Sequence, residues 1–182
     1  SVIYAGTFSK CLSPGLRIGF GVLPRHLVDP VCALKGNIDF GTAQLNQMLL
    51  ANLLELGLLE PHITQIRQRY QQKLAVTLDA LAEHFADTVD VRWHRPTGGL
   101  YVWLTLPDGV SAGLDSPLFA SALEQQMLYV PGEFCYAPEG VAARASTIRL
   151  CFGVADEAQI RRGVAALAAA LKHTVITRKE RP

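Results

Sequence analysis

Gly6-Thr7-Phe8-Ser9-Lys10-Cys11-Leu12-Ser13-Pro14-Gly15-Leu16-Arg17-Ile18-Gly19-Phe20 is the stretch on which the reading of the fold turns. A β-type run lies on each side of its middle, Val2 to Gly6 and Leu16 to Leu23. Between them Ser13-Pro14-Gly15 sets a turn, because proline presets φ and glycine tolerates the left-handed region. The two runs are expected to pair as neighbouring strands, and Val2-Ile3-Tyr4-Ala5 reads as a buried one. Lys10 follows that strand directly, two hydroxyl residues precede it, and Arg17 comes seven positions later between apolar neighbours. Packing alone does not explain two cations there, since burial in such surroundings would desolvate both.

Beyond Pro24 the pattern turns helical: Arg25 to Lys35, Gln44 to Leu56 with Gly57 as its stop, and Ile63 to Phe85. Farther on, Val89-Asp90-Val91-Arg92-Trp93 alternates as a strand does, and Gly98-Gly99 leads into a second strand, Leu100 to Leu104. Ser116 to Gln126 reads as a helix, Met127 to Val130 as a short strand stopped by Pro131-Gly132, Thr147 to Phe152 as a strand, and Asp156 to Lys172 as a helix capped by Asp156. From Val89 the order strand, strand, helix, strand, strand, helix predicts an α+β domain with helices on one face of a small sheet. The class expected for the whole is α/β, with residues 1–75 ending a larger domain, 76–172 forming the small one, and the polar, basic residues 173–182 a flexible tail.

Composition narrows the functional classes. An apolar fraction of 49% with 18% charged residues is that of a soluble globular protein with a substantial core. Lys+Arg 17 against Asp+Glu 16 leaves a formal charge of +1, which gives no field for nucleic acid or an anionic membrane. Cys11, Cys32, Cys135 and Cys151 are widely spaced, form no zinc-type cluster with the histidines, and read as reduced thiols of a cytoplasmic protein. No apolar run reaches the roughly 18 residues that a membrane helix needs. The first residue is not Met, and a strand runs straight into the lysine motif. The expectation is therefore a carboxy-terminal portion of a longer protein.

The chemistry suggested by the opening stretch is that of an anionic group bearing an aldehyde. A lysine amine forms an imine with a carbonyl. Thr7 and Ser9 offer hydroxyls, and the planar fork of Arg17 bonds two phosphate oxygens at once. A second constellation is Ser146-Thr147-Ile148-Arg149-Leu150-Cys151-Phe152. An arginine in an alternating apolar strand either snorkels from an edge or waits for an anion in a pocket.

Residues Gly6 to Phe20 resemble the lysine motif of the class I/II aminotransferases of pyridoxal-phosphate fold type I, S/T-F-S-K followed by a short loop and G-L-R-x-G. Thr147 to Phe152 resembles that family's I-R-L-x-F segment. Pro96 to Pro107 is similar to its P-x-G-G stretch leading into V-W and L-P, and Val130-Pro131-Gly132 to its V-P-G turn. The resemblance implies pyridoxal 5′-phosphate as cofactor, with Lys10 as the catalytic Schiff-base lysine and Thr7, Ser9 and Arg17 on the phosphate. It implies Arg149 on the substrate α-carboxylate, amino acids and 2-oxo acids as substrates, and a homodimer in which Thr42 to Gln47 helps complete the partner's phosphate site. Aminoadipate and kynurenine-type aminotransferases are the nearest in motif. The family's aspartate for the pyridine nitrogen precedes the lysine strand and has no counterpart here, so these residues alone are expected to be inactive. Two other readings stay open: the effector domain of a winged-helix transcription regulator, and a lyase or non-catalytic relative.

Overall fold

The computed structural model describes residues 1–86 and 90–179, in two compact units, Ser1–Gln68 and from Arg69 onward. In the first unit, strand β1 (Tyr4–Thr7) pairs antiparallel with β2 (Gly19–Val22), Tyr4 opposite Val22 and Thr7 opposite Gly19. The pairing agrees with the sequence, but the burial does not. Ile3 is 57% and Tyr4 60% exposed, because a two-stranded ribbon offers one thin layer and the unit buries few apolar side chains, among them Ile18 and Leu50.

Helix α1 (Arg25–Asp39) runs four residues beyond the Lys35 expected from its pattern and ends where Phe40 turns left-handed, its N–H donating to Gly36 O. Helix α2 (Gln44–Glu55) stops as predicted at Gly57, whose φ of 65° glycine adopts without Cβ strain. Helix α3 (Leu59–Phe85) starts four residues ahead of Ile63.

The second unit contains a four-stranded antiparallel sheet in the order β3 (Arg92–Trp93), β4 (Tyr101–Thr105), β6 (Thr147–Cys151), β5 (Val130–Pro131). Val89, expected to open the first of these strands, lies outside the described residues. Val102, Leu104, Ile148 and Leu150 point into a core closed by Leu81 and Phe85 of α3, Leu118 and Ala122 of α4 (Pro117–Glu124), and Ile160, Val164, Leu167 and Leu171 of α5 (Glu157–Lys179). The sheet is thus covered by helices on one face, as the element order predicted. Tyr101, Trp103 and Arg149 alternate to the other face, Trp103 and Arg149 half-buried and Tyr101 exposed.

Both helices of this unit that start with a polar side chain are capped, Asp156 as expected and Ser116 as the N-cap rather than the first helical residue. Ser116 Oγ accepts from Phe119 N–H at 3.1 Å, and Asp156 with Gln159 forms a reciprocal box, Gln159 N–H donating to Asp156 Oδ1 at 2.7 Å. Two further expectations need correction. Met127 to Tyr129 are not strand, because Gln126 turns left-handed with φ 59° and Met127 N–H donates back to Ala122 O, tying the chain to the end of α4. Residues 173–179 are not a frayed tail but continue α5, since Val175 packs on the core and Thr174 Oγ1 donates to Ala170 O. Residues 180–182 lie outside the described residues. No described helix is long and apolar enough to cross a membrane.

Candidate active site

The loop from Phe8 to Arg17 is closed by the ribbon beneath it. Phe8 N–H donates to Ile18 O at 3.1 Å, and Leu12 and Ser13 N–H groups donate to Phe8 O, so the backbone folds back on itself directly around Ser9 and Lys10. The strands approach too closely for larger residues. A Cβ on Gly6 would meet the Phe20 ring at 2.4 Å, and one on Gly19 would meet Gly6 O at 2.9 Å. Phe20 sits between Tyr4 and Phe8, with ring centroids at 5.9 and 5.6 Å, which stiffens the base of the loop.

Ser9, Lys10 and Arg17 lie along this loop, and Thr7 ends β1 just before it. Thr7 Oγ1 accepts from Ser9 N–H at 3.1 Å and leans toward Ile18 O. The Ser9 hydroxyl and the Lys10 amine have no hydrogen-bond or ion-pair partner among the described residues. Arg17 is held in the left-handed region, φ 52° and ψ 41°, and one Nη donates to Pro14 O at 3.1 Å. A bulky residue there costs of order 1 kcal/mol or more, and such strain concentrates at functional positions. Lys10 and Arg17 are both exposed, so the desolvation expected from their neighbours is not met within this unit. Residues 1–28 contain Lys10, Arg17 and Arg25 and no Asp or Glu, so no carboxylate competes for an anion along this stretch.

Sequence reasoning missed Asn46, on the first turn of α2. Its Nδ2 donates to Leu16 O at 3.0 Å and anchors the residue before Arg17 across 30 positions of chain. No local pattern announces such a tether. Only the Gly41-Thr42-Ala43-Gln44-Leu45-Asn46-Gln47 stretch had drawn notice, and for a different role.

Arg149 belongs to the second unit, at the middle of β6, paired with Trp103 on one side and Val130 on the other. Its Nε is buried without a hydrogen-bond partner, and its Cζ lies 4.4 Å from the centroid of the Tyr101 ring. Thr147, two residues before it, is 1% exposed and donates to Arg144 O at 2.7 Å. A half-buried guanidinium with no acceptor among the described residues is suited to an incoming carboxylate.

Residues 1–167 match the model of aminotransferase class I and II. A 2-aminoadipate transaminase of Thermus thermophilus is 39% identical over 171 residues, covering 94% of this chain and 41% of the relative. The fold superposes with a TM-score of 0.86 on LysN, the α-aminoadipate aminotransferase of Thermus thermophilus solved with N-(5′-phosphopyridoxyl)-L-leucine, at 37% identity over 96% of this chain and 43% of that one. The HTH-type transcriptional regulator YdfD of Bacillus subtilis is 30% identical over 94% of this chain and 33% of its own length. The chain belongs to the class I and II aminotransferase family. It spans about two-fifths of the length of the curated aminotransferases that it matches.

Proposed function

We propose that the protein containing these residues transfers an amino group from an amino acid to a 2-oxo acid with pyridoxal 5′-phosphate as cofactor. The observation that carries this reading is the acid-free stretch in which Thr7, at the end of β1, is followed by Ser9, Lys10 and Arg17 on one loop. Its donor set fits the group: hydroxyls of Thr7 and Ser9 and the fork of Arg17 for a phosphate dianion, and the unpaired Lys10 amine for an aldehyde. The cofactor supplies the electron sink that lets a proton leave the substrate Cα. Lys10 anchors it and holds the proton that leaves Cα. Arg149 orients the substrate by its α-carboxylate. Residues 1–75 complete the cofactor-binding domain and 76–172 form the small domain that carries Arg149. The intact protein acts as a cytoplasmic homodimer. Likeness to a 2-aminoadipate transaminase makes 2-aminoadipate the first donor to assay.

Borohydride reduction of the full-length protein with pyridoxal phosphate, followed by peptide mapping, tests the assignment. The label is expected on Lys10, and a label on any other lysine refutes it. A second reading, an aminotransferase-like effector domain joined to a DNA-binding domain, is favoured by the likeness to the Bacillus regulator. A helix-turn-helix encoded upstream of Ser1 would put that reading first.

A further inference from the structure

The guanidinium of Arg149 is supported in an unusual way. In the β4–β6 register Arg149 faces Trp103 directly, and Tyr101 lies two residues along on the same face, the diagonal neighbour that a long side chain reaches. Trp103 is engaged elsewhere, edge-on to Tyr136 with centroids 6.0 Å apart. The Arg149 side chain lies instead over Tyr101, its Cζ 4.4 Å from the ring centroid, well inside the roughly 6 Å within which a cation is held by a ring face. Nothing else holds it: Nε has no acceptor, and Arg149 takes part in no ion pair among the described residues.

The two ways of holding an arginine differ in what they leave free. A protein carboxylate accepts the N–H groups of the fork and so occupies the face that a ligand would use. A ring stacked beneath the guanidinium attracts its charge perpendicular to the plane and leaves the in-plane donors on both Nη atoms unspent. We propose that Tyr101 is the positioning residue for Arg149, a platform that fixes the plane of the guanidinium so that it meets a substrate carboxylate with both Nη atoms. The proposal rests on the assignment of Arg149 to that carboxylate. Tyr101 does not touch the substrate carboxylate. Its ring acts through the arginine, and its hydroxyl has no part in the effect.

The test uses the full-length protein loaded with its cofactor, and 3-phenylpropanoate as the probe, a carboxylate that lacks the reacting amine. Calorimetry gives its Kd for the parent and for Tyr101→Leu, Tyr101→Thr and Tyr101→Phe. Loss of a ring under a partly desolvated cation predicts a Kd raised roughly 2- to 30-fold in the Leu and Thr variants. The Phe variant keeps the ring and is expected within about twofold of the parent. In steady state the Leu and Thr variants raise KM for the amino donor with kcat and cofactor content retained, a split that a general loss of structure would not produce. Unchanged probe binding in Tyr101→Leu or Tyr101→Thr overturns the proposal, as does a Phe variant as weak as the Leu variant. Arg149→Leu separates the two claims. If it leaves probe binding unchanged, the Arg149 assignment fails and this proposal with it; if it weakens binding while the ringless variants do not, the platform alone is refuted.

Discussion

Replacing Gly132 by alanine puts a Cβ where the structure has no room for one. The new carbon would lie 2.1 Å from Thr147 Oγ1, 2.7 Å from Thr147 Cβ and 2.9 Å from its carbonyl carbon. Two of these three atoms cannot be moved by a rotamer change, so relief requires β6 to part from the turn that follows β5. That turn, Gly132–Cys135, packs where Pro131 pairs with Ile148, a side chain fully buried in the core. Overpacking of this kind costs about 1–3 kcal/mol. Displacing Thr147 also endangers the 2.7 Å bond to Arg144 O, and a buried hydroxyl left unpaired adds about 1–3 kcal/mol. We expect a total of about 2–6 kcal/mol in urea unfolding of the full-length protein, read as a lowered midpoint with an unchanged m-value. Thr147→Ala removes the nearest of the three atoms, so the Gly132→Ala/Thr147→Ala double variant should lose less than the sum of the single losses. A midpoint for Gly132→Ala equal to the parent's, or strict additivity with Thr147→Ala, would refute the close approach described between these residues.

Two further outcomes are expected. Burial pushes the Tyr129 phenol, whose hydroxyl has no hydrogen-bond partner among the described residues, up to about 12. The phenol is neutral in the folded protein, so its contribution is intact below the unfolded value near 10 and is lost as pH rises from there through about 12, at most on the order of 3 kcal/mol. Tyr129→Phe should flatten that part of the stability profile, and an identical slope in both proteins would exclude Tyr129 as its source. Asp156→Ala removes the acceptor of Gln159 N–H at the start of α5 and should cost about 0.5–2 kcal/mol by thermal or urea unfolding. No loss would show that the box does not form in solution.

Features that depend on neighbours in the chain were legible before any coordinates. Asp156 caps α5 and Gly57 ends α2 because each acts on backbone groups within a few residues. The strand-like run Leu100 to Leu104 after Gly98-Gly99 and the alternating Thr147 to Phe152 marked two strands to within a residue, found at Tyr101–Thr105 and Thr147–Cys151, each with one face on the core. Met127 to Tyr129 misled, since an apolar run looks the same whether it extends a sheet or folds back onto a helix end, and the bond from Met127 N–H to Ala122 O decides which. Val2 to Ala5 misled in the same way. Strand character was readable there, whereas burial depends on what covers the ribbon.

By itself the sequence determined that Thr7, Ser9, Lys10 and Arg17 fall within eleven residues that join two pairing strands through a Pro-Gly turn. It also determined that Arg149 stands in an alternating strand. Tertiary structure alone decided the strained left-handed backbone of Arg17, the tether from Asn46 to Leu16 O, and the Tyr101 ring beneath the Arg149 guanidinium. The last two join positions whose relation is set by strand register and helix placement. Register is a property of the paired chains, fixed by the total packing of both faces, and no spacing within a single segment encodes it.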